Sequence, residues 1–167
     1  MNAATGPRAD AASHRLLLVD AAGAASDHLV EDLPGVLRKG DIVVVNDAAT
    51  LPASLTGRTA SGAAVELRLV GRPTGEDWPV LAFGDGDWRT QTEDRPQPPA
   101  LAVGDRIALA GLSARVARVW PESPRLLDVR FDRAGGRLLQ ALYAHGRPVQ
   151  YAYLPLPLAI ADFQTPF

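Results

Sequence analysis

The sequence has no cysteine. Disulfides, thiolate zinc sites and a cysteine nucleophile are thereby excluded. Lysine is almost as scarce: Lys39 stands alone among 17 basic residues, and the rest are arginine. Biased codon usage would produce that without a functional reason. The three histidines, His14, His28 and His145, are scattered and show no metal-ligand spacing. No apolar run is long enough to span a membrane. Met1 to His14 is small and polar, without the apolar stretch of a signal peptide. The expectation is a soluble, cytoplasmic protein with no membrane partner and no metal. Neither a G-x-S-x-G nucleophile turn nor a phosphate-cradling glycine loop occurs.

What is present suffices for a folded core. Of 167 residues, 47% are hydrophobic and 22% charged, the balance of an ordinary globular chain. The net charge of −2 provides no global basic field for nucleic acid. The charge is unevenly spread. Glu76, Asp77, Asp85, Asp87, Glu93 and Asp94 outnumber Arg89 and Arg95 in one stretch. Further on, Arg115, Arg118, Arg125, Arg130, Arg133 and Arg137 outnumber Glu122, Asp128 and Asp132. The second stretch is either a set of solvated strand faces or a surface for a polyanion.

Periodicity divides the chain. Arg15–Val19 reads as a short buried strand, and Ala21–Asp27 as a loop. Leu29, Val30, Leu33, Val36 and Leu37 recur at helical spacing, with Pro34 suited to a first turn and Gly40 to a C-terminal stop. Asp41–Val45 is β-branched and reads as a strand buried on both faces, ending in the turn formers Asn46 and Asp47. From Val65 the pattern becomes strict alternation. Val65, Leu67 and Leu69 share one face, and Glu66 and Arg68 a wetter one. Further strands are expected at Trp78–Phe83, Arg106–Leu109, Leu112–Trp120 and Leu126–Phe131, with a proline-rich loop at Gln91–Pro99. That is a small antiparallel barrel or sandwich. Leu138, Leu139 and Leu142 then fit a helix from about Ala134 to Ala144, with Gly146 as its stop. Arg147 to Phe167 is extended, aromatic and rich in proline. Such a tail is expected to pack on something outside this chain, and the whole reads as the front portion of a larger enzyme.

Three segments in this order carry a resemblance. The first runs from Asp32-Leu33-Pro34-Gly35 through Gly40-Asp41-Ile42-Val43-Val44-Val45-Asn46-Asp47. The second is Leu51-Pro52-Ala53-Ser54-Leu55-Thr56-Gly57-Arg58, followed by Gly62 and Glu66-Leu67. The third is His145-Gly146-Arg147-Pro148, then Tyr151 to Pro157, then Phe163-Gln164-Thr165-Pro166-Phe167. Together they resemble the S-adenosylmethionine:tRNA ribosyltransferase-isomerase family of queuosine biosynthesis, from Arg15 to Phe167. No one of these motifs is diagnostic; the order of all three carries the resemblance.

The resemblance implies an α+β fold, in which an α/β domain is interrupted by an inserted small antiparallel β-barrel. Residues 1–58 would be the first part of the α/β domain, 59–132 the barrel, and 133–167 a helix and extended return. It implies transfer of the ribosyl group of S-adenosylmethionine, a co-substrate, to 7-aminomethyl-7-deazaguanine in tRNA. Epoxyqueuosine forms, and adenine and methionine leave. Such chemistry activates a sulfonium, and positioning contributes most of the rate. The family's Asn-Asn-Thr-Arg is Asn46-Asp47-Ala48-Ala49 here, so an arginine is missing. Its Pro-Leu-Pro-Pro-Tyr-Ile is Pro148-Val149-Gln150-Tyr151-Ala152-Tyr153. The family also continues for about as long again.

Five substrate-binding candidates follow. Asn46, after a strand, either reads a base edge or forms a turn. Arg58 and Arg147 either hold a phosphate or carboxylate or are solvated. Gln164 and Thr165 match the family's Gln-Thr and suit adenine or base recognition. Tyr151 and Tyr153 either stack on a base or belong to a core. No general base is identified, and this stretch alone is expected to be inactive. Two alternatives stand beside the enzyme: a non-catalytic RNA-binding or assembly module, and an S-adenosylmethionine-binding enzyme with another substrate.

Overall fold

The computed structural model describes residue 6, residues 14–45 and residues 48–163. The chain divides into two compact units, one within Met1–Ala49 and the other Thr50–Phe163.

In the first unit β1 (Arg15–Val19) and β2 (Ala25–Leu29) form an antiparallel hairpin. The Asp20 carboxylate builds the turn by accepting from the N–H groups of Ala22 and Ala24, at 2.9 and 2.8 Å. Gly23 supplies the positive φ of +85°. Residues 25–29, read from sequence as mostly loop, are thus a strand, because small and polar residues pair as well as apolar ones when a tight turn brings them into register. β1 is not buried: Leu17 and Val19 lie on its exposed face. A 3₁₀ turn at Val30–Asp32 leads into the one-turn helix α1 (Leu33–Val36), with Pro34 in its first turn.

The largest departure from expectation is Asp41–Val45. It is not a strand, and Ile42 and Val44 are 88% and 89% exposed. A strand buried on both faces needs hydrogen-bonded neighbours and covering layers. The two-stranded hairpin supplies neither to these residues.

In the second unit six strands close a barrel in the order β3-β4-β5-β8-β7-β6, every neighbour antiparallel. They are β3 (Ser54–Thr59), β4 (Ala64–Leu69), β5 (Asp77–Phe83), β6 (Arg106–Leu109), β7 (Leu112–Val119) and β8 (Leu126–Phe131). Closure removes the edge strands that would otherwise invite aggregation. The inward alternation fills the interior: Leu55, Val65, Leu67, Val80, Ile107, Val116, Leu127 and Val129 are all buried. α2 (Gly135–His145) adds Leu138, Ala141 and Leu142, an i, i+3, i+4 stripe, to the same cluster. Leu139, expected in that stripe, is 42% exposed, because the helical period turns it away and puts Ala141 inward.

β3 is the strand the sequence hid, and Gly57 explains why. It pairs with Val65 on one side and Leu109 on the other. A Cβ at Gly57 would collide with the Ala108 carbonyl of β6. The barrel therefore closes at a point where only glycine fits, and a glycine weakens the strand signature. Gly57→Ala should force β3 and β6 apart and cost about 1–3 kcal/mol. Urea unfolding monitored by tryptophan fluorescence checks this; an unchanged midpoint would show that the seam tolerates a side chain.

Candidate functional site

The site grows from the outer face of β4. Alternation sends Glu66 and Arg68 out of the barrel, where solvent was expected, yet they are 6% and 7% exposed. The loop that follows β5 covers them. Arg95, in that loop, has no exposed side-chain surface and donates to Glu66 Oε2 at 2.6 Å. Its other bonds go to backbone carbonyls: Asp87 at 3.1 Å, Gly84 at 3.1 Å and Gly86 at 3.2 Å. One guanidinium thereby fastens three points of the loop to β4. Arg68 Nε donates to Glu66 Oε1 at 2.7 Å, and Ser54 Oγ to the same oxygen at 2.8 Å.

A ring sits among these cations. Phe83, buried at the end of β5, has the guanidinium carbons of Arg68, Arg125 and Arg95 at 4.6, 4.9 and 5.4 Å from its centroid. Its negative face offsets part of the cost of gathering like charges. Arg125 in turn donates to the carbonyls of Arg95 and Pro96 at 2.6 and 3.1 Å, holding the loop from the other side.

Burial alone would push the Glu66 carboxyl up. The hydrogen bonds from Arg68 and Ser54, the charge of Arg68 and the bond from Arg95 outweigh it and hold the carboxyl below the usual carboxylate range. A carboxylate so engaged keeps its charge at neutral pH and is a poor proton carrier. Glu66 shapes the site through these bonds.

The other wall is the return segment after α2. Arg147 and Ser54 exchange backbone hydrogen bonds, both at 2.9 Å, which ties the segment to the start of β3. A side chain at Gly146 would strike the carbonyls of Pro52 and Leu142, so the chain enters this bridge through a glycine. Gln150 closes a loop by donating to the Leu158 carbonyl at 2.8 Å and accepting from its N–H at 3.0 Å. Between Gln150 and Leu158 the side chain of Leu154 is buried, while Tyr151 and Tyr153 stack at 5.4 Å and 19° and stay half exposed.

Between the walls is an open cleft of about 440 Å³, with Arg68 and Thr92 on one side, Trp88 and Arg89 beside them, and Tyr151 and Tyr153 opposite. A smaller recess of about 70 Å³ adjoins it through the shared residues Arg68, Trp88 and Gln150, and Arg147 lines that recess. Arg68 has five N–H donors, of which Glu66 and Thr92 engage two groups, Nε and Nη1. Aromatic rings with a fixed cation suit a planar ligand that carries an anion.

The expected site residues are dispersed relative to this cleft. Arg147 borders it. Arg58 does not: it is exposed and donates to the Gly62 carbonyl at 2.8 Å, four residues along β3 from Ser54, or about 13 Å. Asn46, Gln164 and Thr165 lie outside the described residues. Tyr151 and Tyr153, weighed from sequence as stacking or core residues, are surface residues at the cleft. Arg68, Trp88 and Arg95 were missed. Arg68 lay on a strand face that reads as solvated, and nothing in the 84–97 loop marks Arg95 for burial. The signal available in sequence was the outward pair of opposite charges, Glu66 and Arg68. Among the described residues no group of three metal-binding side chains is close enough to hold an ion, and no helix is long and apolar enough to cross a membrane.

Fold and cleft define a small closed barrel with an aromatic, arginine-bearing cleft on its flank. The chain belongs to the family described as queuosine biosynthesis protein, whose model matches residues 1–167. Among its relatives, one from Rhodospirillum rubrum is 35% identical over 162 residues, 92% of this chain and 41% of the relative. One from Hyphomonas neptunium is 38% identical over 154 residues, 88% of this chain and 38% of the relative. Both bear the name S-adenosylmethionine:tRNA ribosyltransferase-isomerase. The chain spans about two fifths of the length of these curated relatives. A crystal structure of S-adenosylmethionine tRNA ribosyltransferase from Thermotoga maritima aligns at a TM-score of 0.36 and 20% identity, covering 81% of this chain and 43% of that one.

The lowered pKa of Glu66 sets a pH dependence. Its folded pKa lies below the unfolded value, near 4.3. Its contribution is therefore complete above about pH 4.3 and is lost as pH falls through the folded value. Glu66→Gln should cost roughly 3 kcal/mol at pH 7 by leaving two buried guanidiniums without their counter-charge. The gap in melting temperature between the two proteins should close on acidification. A gap that stays constant from pH 7 to pH 3 would show that the carboxylate charge contributes nothing.

Proposed function

We propose that this chain supplies part of an S-adenosylmethionine:tRNA ribosyltransferase-isomerase. The reaction moves the ribosyl group of S-adenosylmethionine to 7-aminomethyl-7-deazaguanine in tRNA, giving epoxyqueuosine with loss of adenine and methionine. The observation that carries this reading is the family match over residues 1–167, joined by relatives of that name at about 35% identity over nine tenths of the chain. The chain's share of the work is binding and orientation. Tyr151, Tyr153 and Trp88 offer faces for a base, and Arg68 and Arg147 offer donors for a phosphate or carboxylate. Arg58 serves an anion at the far end of β3. Asn46, Gln164 and Thr165 remain base- or adenine-reading candidates. S-adenosylmethionine enters as co-substrate and tRNA as acceptor, which places the reaction in the cytoplasm.

Full-length protein, as its source makes it, should release adenine from S-adenosylmethionine only when precursor tRNA is present. No adenine under those conditions overturns the proposal; release without tRNA would point to another acceptor. In the same assay Tyr151→Ala should raise the KM for tRNA by roughly 5- to 150-fold, the equivalent of about 1–3 kcal/mol of stacking on a base. A KM for tRNA unchanged by this substitution would remove Tyr151 from the site.

A further inference from the structure

The far side of the barrel carries a second feature, separate from the cleft. The antiparallel register sets Arg106 of β6 opposite Arg115 of β7, and Arg115 opposite Arg130 of β8. Alternation turns all three outward, and all three are exposed. Three arginines therefore form one transverse row across three adjacent strands, roughly 10 Å long at cross-strand spacing. The row rims a shallow depression of about 230 Å³ whose other walls are Ser113, Ala114, Phe131 and Asp132.

Like charges directly opposite one another oppose strand pairing. The same two strands show the self-complementary alternative next door, where Arg118 faces Asp128 in register and pairs with it at 3.6 Å. The row is not balanced that way. Arg130 is paired, with Asp77 at 2.8 Å and Glu76 at 3.8 Å. Arg115 donates only to the Gly104 carbonyl, and Arg106 reaches Ser113 Oγ at 3.4 Å. Among the described residues neither has a carboxylate partner. Asp132, the acid in the depression, is engaged by Ser113 Oγ at 3.3 Å.

We propose that the Arg106–Arg115–Arg130 row is a rail for the phosphate backbone of the RNA substrate. Guanidinium forks fit phosphate oxygens bidentately, and a strand of nucleic acid presents a phosphate about every 3.4 Å of helix axis. A row of this length meets more than one of them. It reads no bases; it sets the register of the RNA on the barrel while the chemistry occurs elsewhere. The inference rests on the proposed tRNA acceptor. Arg130 is fixed by Asp77, so Arg106 and Arg115 are the two cations free to change partners.

The test is the salt dependence of precursor tRNA binding by the full-length protein, compared with Arg106→Gln/Arg115→Gln and Arg106→Lys/Arg115→Lys. Each lost phosphate contact lowers the slope of log K against log salt by about 1. The glutamine pair should lower it by about 2, raise the KM for tRNA, and leave kcat and the KM for S-adenosylmethionine unchanged. The lysine pair should keep most of the slope, since a point charge suffices for a phosphate. Both side chains are exposed, so the melting temperature should not fall, and a loss of binding cannot be a loss of folding. An unchanged slope and tRNA KM in the glutamine pair overturns the rail while leaving the proposed activity standing. A changed slope in a protein that releases no adenine overturns the activity and keeps the rail. Failure of the unaltered protein to bind RNA overturns both.

Discussion

The flank of the barrel depends on one carboxylate. Glu66 is surrounded by Arg68, Arg95 and Ser54, and each of these groups fixes a different part of the chain. Arg95 carries the loop that follows β5. Ser54 is the point where the return segment bridges back to β3. Arg68 lines both the cleft and the recess beside it. Burying three charged groups is costly, and a hydrophobic cluster of the same volume would often be as stable or more so. What a hydrophobic cluster would lack is direction. Guanidiniums bond along fixed vectors, and Arg95 uses them to hold the carbonyls of Gly84, Gly86 and Asp87 at once. The triad is best understood as a positioning device.

That device divides the barrel into two environments. Inside, packing is apolar and unspecific in direction, and a glycine at the β3–β6 seam permits the closure. Outside, arginine does most of the work, in two distinct ways. Around Phe83 it is buried, stacked and bonded to backbone carbonyls, and it is structural. On β6 and β7, Arg106 and Arg115 are exposed, face one another in register, and have no carboxylate partner among the described residues. The near-absence of lysine thus has different meanings on different faces. A planar fork that bonds in fixed directions is required beneath the loop, whereas any cation would serve on the open face.

Sequence pattern located most of the barrel. Strands β6 and β8 fall where alternation places them, and β5 and β7 differ by one residue at an end. Strict period-two alternation persists in a closed barrel because one face is always core. Pattern failed where burial was set by something distant in sequence. Glu66 and Arg68 have the polarity of a wet face, and only the return of Arg95, 29 residues later, makes that face dry. Asp41–Val45 has the composition of a central strand, but a strand exists only with neighbours, and among the described residues it has none. Trp88 and Tyr151 are far apart in sequence yet line one cleft, and the bridge from Arg147 to Ser54 ties the segment that carries Tyr151 to the barrel.

By itself, then, the sequence determined the family, five of the six barrel strands and the helix that packs on them. These depend on local period and on ordered short motifs, both of which survive in one dimension. The tertiary structure alone decided which charged residues are buried, which aromatic residues face a common cleft, and which arginines stand side by side. Those properties depend on register between strands and on loops folding back over a sheet. Both are relations between distant residues, which no local pattern encodes.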